Sequence, residues 1–145
     1  MQGVFTFADG SVYEGEYVGN VRSGKGKMTY ADGAVYEGSW EGGKRAGSGV
    51  YTYSNGDVYR GEWADDVKQG EGVYSSKATL SSYQGTFEGG AFARGEWLQS
   101  DGSRYTGAFA GGKPSGDGEF FSVSSGNSTK GFFDATGAWT TTEVA

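Results

Sequence analysis

Residues 36–63 read YEGSWEGGKRAGSGVYTYSNGDVYRGEW, and nearly the same five-residue motif stands at both ends of this stretch. The pattern Tyr-x-Gly-x-aromatic begins at Tyr13, Tyr36, Tyr59, Tyr83 and Tyr105, and a degenerate copy begins at Thr129. A regular period between about 20 and 50 residues is typical of a repeat array, in which each unit is one small supersecondary element. The sequence therefore predicts about six structural units in a single array that spans residues 1–145.

The composition excludes several classes of protein. Glycine supplies 29 of the 145 residues without the three-residue period of collagen, and the aromatic content of 16% argues against disorder. A net charge of −6 disfavours nucleic acid as a partner. The sequence has no signal peptide and no apolar run of about 18 residues. These features predict a cytoplasmic protein, with cytoskeletal association as a further expectation.

Each unit contains two short runs with the alternation of a β-strand. One run follows a Gly-x-Gly, as in Gly49-Val50-Tyr51-Thr52-Tyr53, and the other carries the Tyr-x-Gly-x-aromatic motif. An Asp-Gly or Asn-Gly pair such as Asp32-Gly33 lies between them, which is a strong hairpin signal because glycine accepts the positive φ of tight turns. Each unit is thus predicted to be one β-hairpin, and the glycine-rich stretch 41–47 is predicted to be the loop that leads to the next.

The period of two along a strand assigns side chains to faces. Tyr36, Gly38 and Trp40 share one face, whereas Glu37 and Ser39 point to the other. The glycine between two aromatic residues is predicted to leave room for a neighbouring ring over the backbone, so the aromatic residues are assigned to the core. Stacked in order, the units predict an all-β protein: one elongated, twisted antiparallel sheet of consecutive hairpins with about 12 strands.

The chain resembles the MORN-repeat family (membrane occupation and recognition nexus). Its unit reads Tyr-x-Gly-x-Trp, then Gly-Lys, then Gly-x-Gly and a turn, as in Tyr36 to Trp40, Gly43-Lys44, Gly47-Ser48-Gly49 and Asn55-Gly56. The resemblance implies a single sheet of hairpins. It also implies a non-catalytic role in scaffolding, self-association and partner binding, often at cytoskeletal or membrane-adjacent structures.

The sequence departs from this pattern at three places. The fourth unit has Leu80-Ser81-Ser82 in place of a turn glycine, and Ala93 replaces the first glycine of its Gly-x-Gly. The chain starts in mid-unit at Gly3, which leads us to expect a fragment of a longer array. Residues 134–145 are predicted to form a C-terminal capping hairpin, because terminal repeats are usually atypical.

No catalytic constellation is evident. The chain has neither histidine nor cysteine, so the usual general base and the usual zinc ligands are missing. Gly38 to Lys44 fits the start of a phosphate-binding loop, but Arg45 stands where Ser or Thr must bind magnesium. We therefore predict no enzymatic activity, no cofactor and no metal.

Two groups of residues are candidates for binding. Cations precede the second glycine of Gly-x-Gly by four or five positions: Arg22, Lys44, Arg45, Lys68 and Lys113. They are predicted to form a ladder on one long edge that binds acidic groups of a protein partner or phospholipid headgroups, although charges in solvated loops would give the same pattern. Nearby carboxylates weaken the lipid interpretation.

The second group lies at the N-terminus, where Val4-Phe5-Thr6-Phe7 predicts an aromatic edge strand without a charge. Phe5 and Phe7 are the predicted contacts of a homodimer. The sequence thus favours a protein-interaction and self-association scaffold that binds no nucleic acid. Two alternatives remain: a phospholipid-headgroup module with weak affinity for anionic lipid, and a small-ligand or carbohydrate binder that uses exposed aromatic residues.

Overall fold

The computed structural model describes residues 1–144, which form one open antiparallel sheet of thirteen strands in chain order. The strands are β1 (Gln2–Thr6), β2 (Val12–Val18), β3 (Val21–Thr29), β4 (Val35–Glu41), β5 (Lys44–Thr52), β6 (Val58–Ala64), β7 (Val67–Ser75), β8 (Ser82–Glu88), β9 (Ala91–Leu98), β10 (Arg104–Ala110), β11 (Lys113–Phe121), β12 (Ser128–Phe133) and β13 (Trp139–Val144). The predicted fold class is confirmed. There is one strand more than expected. The six motif strands are the even-numbered ones, and they alternate with seven odd-numbered strands, because the sheet begins and ends with an odd-numbered strand.

The Asp-Gly and Asn-Gly pairs form four of the six turns along one long edge of the sheet, as predicted. In the turn between β3 and β4, the Tyr30 N–H donates to the Ala34 carbonyl at 2.8 Å, and the Gly33 N–H donates to the Tyr30 carbonyl at 3.0 Å. Gly33 has a φ of +93°, a conformation that glycine adopts without a steric penalty. The Asp32 carboxylate accepts a hydrogen bond from the Ala34 N–H at 2.9 Å and so fixes the turn.

The opposite long edge corrects the prediction for residues 41–47, most of which are strand rather than loop. Glu41 pairs directly with Lys44, so only Gly42 and Gly43 form the turn, with φ of +57° and +81°. Two-residue hairpin loops of this kind need positive φ at both central residues, and two glycines supply it. The glycines of this stretch serve a tight turn and a bulge within β5.

The glycines of the motifs pair with one another across the sheet. They form a continuous row, which we call the glycine row: Gly3, Gly15, Gly26, Gly38, Gly49, Gly61, Gly72, Gly85, Gly95, Gly107, Gly118 and Gly131. A Cβ atom on Gly38 would lie 2.5 Å from the Gly49 Cα and 2.6 Å from the Ser48 carbonyl oxygen. Glycine is therefore required sterically from Gly15 to Gly131, whereas a Cβ on Gly3 at the edge of the row would make only an ordinary contact.

The predicted packing of rings over glycines is confirmed. The Tyr36 ring lies over Gly49, and its hydroxyl donates to the Ser39 carbonyl at 2.8 Å. Tyr13 and Tyr59 repeat this arrangement with the same hydrogen-bond distance. All three side chains are fully buried although the protein has a single layer. The core is thus built on one face of the sheet, from rings that lie against backbone.

The last hairpin joins β12 and β13, with its turn at residues 134–138. The predicted capping hairpin ends at Ala145, which lies outside the described residues. The division of the chain into units by motif starts, and the capping role of residues 134–145, stay predictions.

Candidate interaction surface

One face of the sheet, which we call the aromatic face, carries a continuous series of packed rings. The Trp40 ring lies 5.4 Å from that of Tyr13 and 5.2 Å from that of Tyr36, nearly perpendicular to both. Trp63 contacts Tyr36 and Tyr59 in the same way, at 5.2 and 5.3 Å. Trp40 and Trp63 therefore each join their own unit to the preceding one through edge-to-face contacts, a favourable geometry for aromatic pairs.

Many rings of this face remain partly exposed, because residues 1–144 provide no second layer to cover them. Tyr30, Tyr51, Tyr53, Tyr74 and Phe92 pack beside the buried rings and keep part of their surface accessible. Burial is thus complete only at the level of the glycine row. The outer level of the aromatic face is apolar surface that a partner could cover.

Three of the five predicted binding cations lie on the aromatic face. The Arg45 guanidinium is 4.6 Å from the centroid of the Trp63 ring, and its Nε donates to the Asp66 carboxylate at 2.9 Å. Burial acts to raise the pKa of Asp66, but the hydrogen bonds and charge of Arg45 outweigh it, and the pKa lies below its ordinary value. Arg45 is therefore held by a ring and a carboxylate at once.

Arg22 and Lys68 occupy the equivalent positions in the first and third units. Arg22 lies 5.0 Å from the centroid of the Trp40 ring and donates through Nη2 to the Gly43 carbonyl at 2.8 Å. The Lys68 ammonium donates to the Tyr53 hydroxyl at 3.0 Å and lies within 5.9 Å of four ring centroids. Cation–π contacts of this kind contribute about 0.5–2 kcal/mol each.

The other two predicted cations, Lys44 and Lys113, are exposed. Each lies one position before the residue of its strand, Arg45 or Pro114, that belongs to the aromatic face. Because successive side chains of a strand point to opposite faces, Lys44 is separated from Arg45. It pairs across the turn with Glu41. The structure thus brings Arg22, Arg45 and Lys68 together on the rings and leaves Lys44 and Lys113 on the opposite side.

The predicted dimer contacts lie on the outermost strand. Phe5 is 51% exposed, whereas Phe7 is partly buried beneath Arg22, whose guanidinium is 5.3 Å from its ring centroid. The Phe7 N–H donates to Ser11 of the adjoining turn and the Met1 carbonyl accepts from Tyr17, so the odd-numbered residues of β1 direct their backbone groups inward. By alternation, the N–H and C=O groups of Gln2, Val4 and Thr6 point outward.

Sequence reasoning missed a cavity beside the fourth unit (β8 and β9). It has a volume of about 240 Å³ and is lined mainly by rings, with Lys68 among its lining residues: Tyr74, Tyr83, Phe87, Phe92 and Phe109. One signal was present in the sequence. Phe92 pairs with Phe87 where the preceding units pair a cation with an aromatic residue, as Arg45 does with Trp40.

The buried hydroxyl groups are not poised for proton transfer. Burial raises the pKa of Tyr36 and of Tyr59 to about 12, so both stay protonated at neutral pH. Burial, followed by the hydrogen bond that Tyr74 donates to the Asp57 carboxylate at 2.5 Å, raises the pKa of Tyr74 as well. The same hydrogen bond lowers the pKa of Asp57. Burial and the Asp57 carboxylate thus stabilise the neutral, protonated form of these tyrosines and do not favour loss of the hydroxyl proton.

A single-layer sheet of stacked hairpins, each in contact mainly with its neighbours, is a repeat protein of the solenoid type. Comparison with protein families finds the MORN repeat at residues 1–12, 13–35, 36–58, 59–77 and 105–126. The chain therefore belongs to the MORN-repeat family. MORN repeats are generally protein- or membrane-interaction modules, and the family is typically non-enzymatic. The segment between residues 77 and 105, which contains the fourth unit, is not matched.

Comparison with curated proteins gave no match. Among solved structures, the chain is similar to the SAS-4 (dCPAP) TCP domain of Drosophila melanogaster, solved in complex with a proline-rich motif of Ana2 (dSTIL). The identity is 12% and the TM-score 0.38, over 98% of this chain and 90% of that chain. Residues 1–144 contain no helix long and apolar enough to cross a membrane.

Proposed function

We propose that the chain is a non-catalytic scaffold that binds protein partners and associates with a second copy of itself. The observation that carries the proposal is the open single-layer sheet, whose aromatic face is uncovered and whose outer strand β1 has an unpaired edge. An exposed edge strand is a ready template for pairing with another chain. The family resemblance adds a location beside cytoskeletal or membrane structures to this proposal.

The outward backbone groups of β1 favour one register for the self-association. If two β1 strands pair antiparallel about a two-fold axis at Val4, Val4 lies opposite its own copy and Gln2 lies opposite Thr6 of the second copy. All three outward-pointing residues then form hydrogen-bonded pairs. A closed two-fold dimer of this kind is the commonest oligomer among soluble proteins. The sheet would continue through the interface with its aromatic face on one side.

The side chains agree with this register. Gly26 in β3 lies beneath the Tyr13 ring, but Gly3 at the equivalent place in β1 has only an ordinary contact, since a Cβ there would lie 3.6 Å from the Tyr17 ring. With Val4 on the axis, Phe5 of the second copy lies directly opposite Gly3. Its exposed ring could therefore cover this glycine as the tyrosines do elsewhere.

Single cysteines test both the dimer and its register, because the native chain contains none. In the proposed dimer, Val4→Cys places a cysteine directly opposite its own copy. The two Cα atoms would be about 5.5 Å apart, which is within the range for a disulfide. Thr6→Cys is the matched control, because Thr6 lies opposite Gln2. On oxidation, we expect a covalent dimer of Val4→Cys and none of Thr6→Cys. In sedimentation at micromolar concentration, we expect the native chain to have the mass of a dimer and Phe5→Ser to have the mass of a monomer. A monomer at high concentration, or equal cross-linking of both cysteines, would contradict the proposal.

The two alternative functions have less support. A lipid-binding ladder would need exposed cations. Arg22 and Arg45 are engaged by a carbonyl or carboxylate and by rings, and Lys68 is partly buried among four rings, which leaves Lys44 and Lys113 as the exposed members. A carbohydrate site would need exposed rings, but Tyr36 and Tyr59 are fully buried and Trp40 is nearly so, which leaves only the partly exposed outer rings of the aromatic face. A protein partner can pack against the partly exposed outer rings of the aromatic face and needs neither a row of exposed cations nor a fully exposed ring.

A further inference from the structure

The fourth unit breaks the packing rule that the first, second, third and fifth units follow, in which the motif tyrosine covers a glycine of the next strand. In the second unit (β4 and β5) the Tyr36 ring covers Gly49, whereas the three atoms nearest to a Cβ on Gly95 would be backbone atoms of Gln84 and Gly85 rather than ring atoms. Tyr83 instead stacks on Trp97, with ring centroids 5.8 Å apart and planes 4° apart. The tyrosine of this unit has therefore left the position that its counterparts occupy.

The cause lies in the bulge of the strand that follows the motif. From Gly38 to Trp40 the motif strand advances two residues, while β5 advances four from Gly49 to Arg45. Gly47 within this bulge has a φ of +68°. In the fourth unit Ala93 replaces that glycine and β9 is one residue shorter than β5. The two strands therefore meet in a different register beyond the glycine row, and Phe92 faces Phe87.

The cavity of about 240 Å³ lies beside this irregular register. Small-molecule sites usually measure roughly 300–1,000 Å³, so this cavity suits a single anchoring side chain better than a complete ligand. Phe92, Phe87 and Phe109 supply an aromatic wall, with ring centroids 4.9–5.1 Å apart. A well-packed aromatic anchor in such a pocket is the usual energetic centre of a protein interface.

Lys68 determines the charge that the cavity prefers. Arg45 has the Asp66 carboxylate beside it, but no carboxylate of residues 1–144 lies within ion-pair distance of Lys68. The ammonium uses one hydrogen bond, to Tyr53, and it has three donors. The surrounding ring faces already contact this cation, so a second cation would meet repulsion, whereas a carboxylate would complete the charge pairing.

We infer that the cavity between Lys68 and Phe109 binds one aromatic side chain of a protein partner, flanked by a carboxylate that pairs with Lys68. The inference deepens the proposed scaffold function, because its occupant is a segment of another protein. It depends on the interior of the sheet and not on β1, so the cysteine experiment above tests the self-association separately.

The blocked peptide acetyl-Gly-Ser-Phe-Asp-Ser-Gly-amide serves as the probe. In titrations to millimolar concentration followed by amide NMR, we expect shifts centred on Gly90 and Gly112, which line the cavity. The peptide with Ser in place of Phe should give no shifts there. The peptide with Lys in place of Asp should bind roughly fivefold more weakly, as expected for an ion pair open to solvent.

Two protein variants separate the contributions of the wall and the cation. Phe92→Lys restores the cation found at this place in the first three units and should abolish binding while the melting temperature shows that the sheet is intact. Lys68→Met keeps the apolar stem and should remove the preference for Asp over Lys in the peptide. Lys44→Met is the matched control, exposed on the other side, and should bind as the native chain does.

The results divide clearly. Localised shifts that need both the peptide Phe and native Phe92 support the inference, and a lost Asp preference in Lys68→Met supports the role of the cation. Absence of shifts at millimolar peptide, or shifts that persist unchanged in folded Phe92→Lys, would overturn it. If that happens while Val4→Cys still forms the covalent dimer, the cavity inference fails and the self-association stands.

Discussion

The second and fourth units contain the same Tyr-x-Gly-x-aromatic motif but pack it differently. Tyr36 is fully buried over Gly49 and its hydroxyl is hydrogen-bonded, whereas Tyr83 is only partly buried and stacks on Trp97. The motif strands have the same length and the same central glycine, although Gly85 has a φ of +155° and Gly38 has a negative φ. The difference comes from the next strand, where the second unit has Gly47 and Arg45 and the fourth has Ala93 and Phe92. The position of a motif ring thus depends on the bulge opposite to it.

The strongest way to break the regular arrangement is Gly38→Val. The Cβ atom would meet the backbone of Gly49 and Ser48 at 2.5–2.6 Å, and backbone cannot move aside as a flexible side chain can. We expect destabilisation in the upper part of the range of about 1–3 kcal/mol that overpacking usually costs, measured by urea unfolding.

Gly3→Val is the matched control at the edge of the glycine row. Its Cβ would make an ordinary contact, 3.6 Å from the Tyr17 ring, so the free energy of unfolding of the monomer, measured below the concentration at which the proposed dimer forms, should change by less than about 0.5 kcal/mol. Equal losses in the two variants would show that the row is not packed more tightly inside the sheet than at its edge.

Much of the fold could be predicted because its signals are local. The turn at Asp32-Gly33 needs only a positive φ, and the pairing of rings with glycines follows from the period of two. Residues 41–47 were misassigned because a tight turn at Gly42-Gly43 and a bulge at Gly47 both place glycines in the sequence, as a loop does. Only the pairing of Glu41 with Lys44 distinguishes the two.

The candidate surface was harder to predict because it depends on contacts between strands. The sequence located Arg22, Arg45 and Lys68 but not the rings that they contact on the next strand, which are Trp40, Trp63 and Phe87 respectively. The cavity is a consequence of register: Ala93 was visible as a departure, but its effect on Tyr83 needs the neighbouring strands.

Neighbouring cations sharpen the comparison between the two faces. Arg45→Ser removes the contact with the Trp63 ring and leaves Asp66 without its partner, so we expect a loss of about 1–2 kcal/mol in unfolding free energy. Lys44→Ser, one position away and exposed, should stay within about 0.5 kcal/mol. Similar losses of unfolding free energy for both variants would mean that a cation on the aromatic face contributes no more to stability than one on the opposite face.

The smallest expected effect is an increase in stability, and it concerns the turn between β7 and β8, which precedes the fourth unit. The Ser76 N–H donates to the Ser81 carbonyl, and the Ser122 N–H donates to Asn127, so two turns of the same length occur in the sheet. The matching residue is Leu80 in one, with a φ of +55°, and Gly126 in the other, with a φ of +71°.

Leucine pays a steric cost of roughly 1–2 kcal/mol in this left-handed conformation, and Leu80 is 75% exposed, so it gains little from burial. Leu80→Gly should therefore stabilise the protein by about 0.5–1 kcal/mol, after the greater chain entropy of glycine in the unfolded state is subtracted. Gly126→Leu should cost a similar amount, because a Cβ there meets open space and only the conformation is penalised. Urea midpoints at constant m-value measure both changes. If Leu80→Gly gains stability but leaves binding of the Phe-Asp peptide unchanged, the two departures of the fourth unit are independent, and the cavity depends on β9 rather than on the turn. A change in peptide affinity would instead couple the turn to the register, and loss of stability would show that the exposed leucine makes a contact that offsets its strain.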